Sequence, residues 1–377
     1  MRNKLFLIVG FMLTTAFSQK LNEKRISKLE KIGYAIDSTL FNSDYKYVDD
    51  IYNIKGLTER FFIESEDSEI KKYNSGFYKG FSGNFSLGKE LVKQIELGAE
   101  YTFLRAYSEN DEYFLLFRLF GEEGLNYHRH LIKYINNEPK IVDTYIYLTG
   151  EYLSESFKVI YEMSLNNLSF MKRILNRNDL KDYEKIDKMK RYRDSGKYEE
   201  LVELYESLNE KSKKKKIFKI YSLLGSQHLS EELYIKYIDE YEKEFPNDPS
   251  LYLISMDGFI MKNQFDDALT TLDKLDKSIG IDDFLDYYRG NIYYMKKDYK
   301  MSKDKFLNVV SNYPNFVDGY DGLLTLYIES NEKGKAIEIL NVMVERFDLR
   351  KEDLKSSVEE TFQDFSKSNE FKAWLNK

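Results

Sequence analysis

Two histidines and their neighbours are the first residues in this chain whose types and spacing suit chemistry. His128 and His130 flank Arg129 in the run Leu125–Ile135, where alternating residue character predicts a strand. Residues two apart on a strand point to one side, so both imidazoles share a face. Such a His-x-His pair is half of a metal site, and Asp143 on the next predicted strand would be a third ligand. With Arg118, these groups also mark out a pocket on the sheet face for general acid–base work or a small ligand. The alternative is two histidines on a half-exposed sheet face. No nucleophile motif stands near them, and neither a Ser/His/Asp signature nor a P-loop is present. Gly76, Gly80 and Gly83 form no nucleotide loop, since no strand leads into them. The 377 residues include no cysteine, which excludes disulfides, thiol nucleophiles and Cys-ligated zinc together. The sequence therefore assigns no catalytic residue, no metal and no cofactor.

A second constellation suits binding. Tyr287, Asn291 and Tyr294, at spacings of four and three, lie on one face of one predicted helix. Exposed aromatic rings beside an amide are good peptide anchors, and Asn holds an extended backbone by two hydrogen bonds. The alternative is that this stripe packs against the sheet domain or the C-terminal helices.

The elements that must position these groups differ between the two halves. Strand-like bursts at Glu100–Tyr107, Glu112–Phe120, Leu125–Ile135 and Lys140–Leu148 are separated by loops such as Ser108-Glu109-Asn110-Asp111 and Asn136-Asn137-Glu138-Pro139. This predicts a four-stranded antiparallel meander, preceded by helices over Leu21–Asn42 and Ser68–Leu97 and followed by one over Ser154–Asn176. The phrase Phe41-Asn42-Ser43-Asp44-Tyr45-Lys46, with Asp49-Asp50-Ile51-Tyr52, resembles an early helix turn of cystatin-like or nuclear-transport-factor-like α+β rolls. That resemblance covers residues 20–165 and implies a pocket in the mouth of the sheet.

In the second half, Pro246 and Pro314 stand two periods of 34 residues apart, and turns of one kind recur between predicted helices: Ser195-Gly196-Lys197-Tyr198, Lys262-Asn263-Gln264-Phe265 and Lys296-Lys297-Asp298-Tyr299. Registers fall at about 182–214, 215–248, 249–282, 283–316 and 317–350. Gly290, Tyr293, Tyr299, Phe306 and Pro314 in one register, and Leu323, Tyr327, Ala336, Leu340 and Met343 in the next, resemble the tetratricopeptide repeat. The close approach of the paired helices is expected where Gly290 faces Ser302. Asp248-Pro249 reads as an N-cap followed by a first-turn proline. Lys351–Lys377 reads as a helix pair that covers the apolar face of the last repeat. The resemblance implies a concave groove lined by Lys216, Lys219, Leu253, Asp257, Tyr287, Asn291, Tyr294 and Met295, holding a peptide or partner protein.

Arg2 and Lys4 precede an apolar run to Leu13, and Ala16 and Ser18 suit a cleavage site before Gln19. Leu5–Phe17 is short against the roughly 20 residues that span a bilayer, so a cleaved signal peptide is expected. The expected mature protein is soluble in the periplasm or outside the cell. A formal net charge of −7 argues against nucleic-acid backbones as partners. The basic run Lys211–Lys216 reads as a solvated turn diluted by Glu199, Glu200, Glu203 and Glu206. The expected domains are a signal peptide (1–18), an α+β roll-like domain (19–178), about five repeats (182–350) and capping helices (351–377). The fold class is thus α+β followed by an all-α repeat superhelix. The expected function is protein binding in a cell-envelope assembly; an enzyme or small-ligand protein with its site on the sheet face is the alternative.

Overall fold

The computed structural model describes residues 2–121, 124–165, 182, 185–246, 248 and 250–376, with side chains from Asn22 onward except Met163 and Leu251. The side chains of the expected signal peptide, Asn247, Pro249 and the expected helix beyond Leu165 lie outside the described residues. The chain divides into two compact units, Met1–Ile254 and Ser255–Lys377.

The first unit opens with α1 (Arg2–Phe41), followed by the short α2 (Lys46–Ile51) and α3 (Ile54–Glu59). The single helix expected over Ser68–Leu97 is two, α4 (Ser68–Asn84) and α5 (Leu87–Glu96). The break has a local cause. The Ser86 hydroxyl accepts from the Lys89 N–H as the N-cap of α5 and donates to Asp49, which draws the chain out of α4.

The sheet is a meander with strands in chain order: β1 (Glu100–Glu109), β2 (Glu112–Gly121), β3 (Gly124–Ile135), β4 (Glu138–Ile146) and β5 (Glu151–Tyr152). All neighbours are antiparallel, and the two-residue β5 makes five strands instead of the expected four. Asn110-Asp111 and Asn136-Asn137 both take positive φ, the backbone that a two-residue hairpin turn requires. One face of the sheet packs on α1. A Cβ at Gly33 would fall 2.2 Å from the Phe103 ring, so glycine lets helix and strand approach. Leu29, Ile36, Leu40, Phe103, Leu115 and Phe117 fill that core. Beside the sheet, rings of Phe61, Phe77, Phe81, Phe157 and Tyr161 join α3 and α4 to α6 (Leu153–Leu165).

The first unit continues with helices α7 (Ile186–Asp194), α8 (Tyr198–Glu206), α9 (Glu210–Lys213), α10 (Lys216–Ser226) and α11 (Glu231–Glu244). Helix α12 (Leu251–Met261) carries the unit boundary, and α13 (Phe265–Ile279) ends at Gly280, whose φ of 77° terminates the helix. The second unit goes on through α14 (Leu285–Met295), α15 (Tyr299–Asn312), α16 (Val317–Glu329) and α17 (Lys333–Phe347). This helix-rich C-terminal half is compatible with a tetratricopeptide-like array. The Ser302 hydroxyl donates to the Gly290 carbonyl at 2.8 Å, so the two meet as the spacing predicts. Phe306 lies between two glycines: a Cβ at Gly290 or Gly322 would come within 2.9 or 2.6 Å of its ring. The expected terminal helix pair is three short helices, α18 (Lys351–Thr361), α19 (Gln363–Ser366) and α20 (Asn369–Leu375). Their Leu354, Val358, Phe365, Phe371 and Trp374 bury with Leu340 and Met343 of α17.

Candidate functional site

The predicted pocket on the sheet does not assemble. His128 pairs with Phe117, and His130 with Leu115 and Thr144, so both imidazoles point to the face that packs on α1. Asp143 pairs with Leu131 and Arg118 with Tyr127, which places both on the opposite face. The expectation that Asp143 completes a metal or acid–base site with the histidines is therefore corrected by strand register.

Instead, the histidines join a buried chain of hydroxyls. The Tyr101 phenol lies 2.8 Å from His130 Nε2 and 3.3 Å from His128 Nδ1. His130 Nδ1 meets the Thr144 hydroxyl at 2.8 Å, and Thr144 meets the Tyr52 phenol at 3.1 Å. Burial pushes His128 down to about 4 and His130 to about 3, the latter also by the charge on His128. Both rings are thus neutral at neutral pH, and His130 has both nitrogens engaged. On the other face, Asp143 is fully buried; it accepts from Arg60 Nε at 2.6 Å and from Ser154 Oγ at 2.5 Å, at the start of α6. Burial raises its carboxyl above the usual range, against the pull of Ser154, the Thr144 N–H and Arg60. This is an anion satisfied at a helix N-terminus, with a structural role.

The predicted groove residues divide between the two units. In the first unit, Lys216 binds Asp248 and donates to the Gly150 carbonyl at 2.8 Å. Lys219 and Leu253, expected to be available, are buried, with Lys219 held 3.5 Å from Glu240. Packing removes these side chains from a partner's reach. The lysine run is likewise engaged in part: Lys213 pairs with Glu206 and Glu210.

In the second unit the predicted residues stay at the surface. Asp257 is exposed, and Met261 and Met295 are 36% and 38% exposed. Tyr287, Asn291 and Tyr294 are half-buried on α14. Asn291 donates to the Tyr287 carbonyl at 2.9 Å and its amide also bonds the Tyr287 phenol, while the Tyr294 phenol donates to Glu329. Tyr287 packs edge-on against Phe316 with centroids 5.0 Å apart.

Two residues that the sequence reading missed complete this face. Asp318 and Asp321, one helical turn apart on α16, lie within electrostatic reach of the Tyr287 phenol. Burial raises both carboxyls above their ordinary range, and Asp318 raises Asp321 further. Among the described residues, neither makes a hydrogen bond or an ion pair. Their i, i+3 spacing just after Pro314 was the available signal. The arrangement sets aromatic rings, an amide and two uncompensated negative charges side by side on α14 and α16. Such a surface suits recognition of a positively charged, extended segment.

Among the described residues, no helix is long and apolar enough to cross a membrane. No protein-family model matches the chain, and no curated protein matches it. Among solved structures, the chain is similar to a MamA mutant at 12% identity, over 44% of this chain and 97% of that one, with a TM-score of 0.36. A likeness at that TM-score carries no argument about fold or function.

Proposed function

We propose that this protein is an exported protein-interaction module whose second unit binds a partner through the face shared by α14 and α16. In this reading, residues 182–350 are tetratricopeptide-like repeats, residues 1–18 are removed between Ser18 and Gln19, and the protein works in a cell-envelope assembly. The single observation that carries the binding surface is the pair Asp318 and Asp321, two carboxylates without counter-charge beside Tyr287. Holding like charges one helical turn apart without a counter-charge is unfavourable for an isolated fold and favourable when a cation arrives. The partner is therefore a protein segment that presents Lys or Arg, with Tyr287, Asn291 and Tyr294 contacting its backbone and apolar side chains. Asp257 and Met295 belong to the same proposed surface.

A test is binding of the full chain to extended peptides of equal length that are basic, neutral or acidic. Basic peptides are expected to bind, and the Asp318→Asn, Asp321→Asn double variant to lose at least about tenfold in affinity. Equal binding of all three peptide classes, or no effect of the double variant, would remove this reading. Export is tested separately by N-terminal sequencing of the protein recovered outside the cytoplasm, with Gln19 as the expected first residue.

A further inference from the structure

A cavity of about 400 Å³ opens beside the sheet, lined by Arg60, Tyr152, Ser154, Glu155 and Lys158. That volume lies at the small end of ligand pockets. Arg60 caps the C-terminus of α3, Tyr152 ends β5, and Ser154, Glu155 and Lys158 follow on α6. Helix α3 is seated on β4: the Asn53 N–H donates to the Ile141 carbonyl at 2.7 Å, and a Cβ at Gly56 would fall 2.9 Å from Val142. Arg60 is thereby carried to Asp143, whose carboxylate accepts from its Nε at 2.6 Å. The same carboxylate accepts from the Thr144 N–H and from the N–H and hydroxyl of Ser154, so one guanidinium nitrogen suffices. Among the described residues, the two terminal nitrogens of Arg60 make no hydrogen bond. The Tyr152 ring supports the guanidinium from 5.3 Å. Lys158 is exposed and makes no ion pair among the described residues. Glu155 uses one oxygen, Oε2, to accept from the Tyr152 N–H at 2.7 Å.

We propose that this cavity binds a small zwitterion, of which a free α-amino acid is the simplest. The open edge of a guanidinium presents two parallel N–H donors, the arrangement that a planar carboxylate accepts. The Lys158 ammonium adds a second positive charge to the same cavity. Glu155 supplies the opposite requirement, since its Oε1 accepts from an ammonium. Charge balance decides between ligand classes. Arg60 and Lys158 are matched by Asp143 and Glu155, so the four charges sum to zero. A phosphate dianion gains from the cations and loses to both carboxylates. A ligand with one charge of each sign meets a partner for each. The cavity belongs wholly to the first unit and does not involve the face of α14 and α16.

The test is a ligand-observed NMR titration of the full chain with L-alanine, propionate, ethylamine and inorganic phosphate. L-Alanine should bind at least about tenfold more tightly than propionate, which lacks the ammonium, and than ethylamine, which lacks the carboxylate. Glu155→Gln should cost L-alanine at least about fivefold and should not weaken propionate, because only the amino acid pairs with that carboxylate. Lys158→Gln should weaken both carboxylates roughly two- to fivefold. Arg60→Lys keeps a charge beside Asp143 and removes the fork, so it should weaken both about tenfold. Circular dichroism checks that each variant is folded. Glu155 and Lys158 are exposed, so their variants test the cavity even where Arg60→Lys does not fold. L-Alanine that binds no better than propionate, phosphate that binds more tightly than L-alanine, or a Glu155→Gln variant that affects both carboxylates alike would overturn the proposal.

Discussion

Helices α10 and α14 occupy equivalent places in their helix pairs, have eleven residues each, and meet opposite fates. In α10 eight residues are buried, including Lys219; in α14 only Leu285, Asp286, Gly290 and Ile292 are. The difference comes from neighbours. The side of α10 that a repeat array would leave open is engaged by the sheet domain, through Lys216 on Gly150 and the packing of Val159 from α6. Within the second unit, α14 keeps Tyr287, Asn291, Tyr294 and Met295 partly or well exposed. The lesson is that repeat register tells which residues face outward from a helix pair. What then covers them is decided by the rest of the fold.

The comparison breaks most visibly in acid. All three histidines, His128, His130 and His228, belong to the first unit. His128 and His130 are lowered to about 4 and about 3 by burial, below the ordinary 6.5. A depressed histidine pKa means that stability is complete above 6.5 and is lost as pH falls towards 3. Each ring should remove roughly 3 kcal/mol or more over that window. Amide exchange resolved by peptide should show protection falling in the first unit well before the second. Parallel loss in both would refute the assignment of acid sensitivity to the buried histidines.

A smaller effect separates the two helices themselves. Phe218→Ala, in the buried face of α10, should destabilise the first unit by about 3–5 kcal/mol. Tyr294→Ala on α14 should cost about 1 kcal/mol, because that ring is half-exposed and its phenol bonds a surface Glu329. Urea unfolding of the two variants checks this, and equal losses would mean that α14 is as enclosed as α10. The smallest effect should be a gain. Asp318→Asn with Asp321→Asn removes two carboxylates whose raised pKa makes them unfavourable as pH climbs above their ordinary range. Since Asp321 is exposed and screened by solvent, the second unit should gain only about 0.5–1 kcal/mol at neutral pH. A loss of stability would show that these carboxylates have compensating partners and would weaken their claim to a ligand.

Sequence made the local devices legible. The Asn-rich hairpins, the meeting of Gly290 with Ser302 and the alternation that puts His128 and His130 on one face depend on residues close in the chain or on a fixed period. The grouping of Asp143 with those histidines failed because the facing residue depends on pairing register, and β3 and β4 shift register between Leu131 and Ile132. The engagement of Lys216 was likewise unreadable, since its partner Gly150 lies 66 residues away in the chain. Asp318 and Asp321 carried only a spacing. Their meaning needed Tyr287 beside them and no cation in reach.

The most direct test of the binding face is side-chain oxidation of the full chain by hydroxyl radicals, with and without a bound basic peptide. Tyr287, Tyr294 and Met295 are partly or well exposed and report on the α14 surface without mutation. The peptide is expected to protect Tyr287, Tyr294 and Met295 and to leave residues of the first unit unchanged. Protection confined to the first unit, or binding that leaves these three residues as reactive as before, would contradict this expectation.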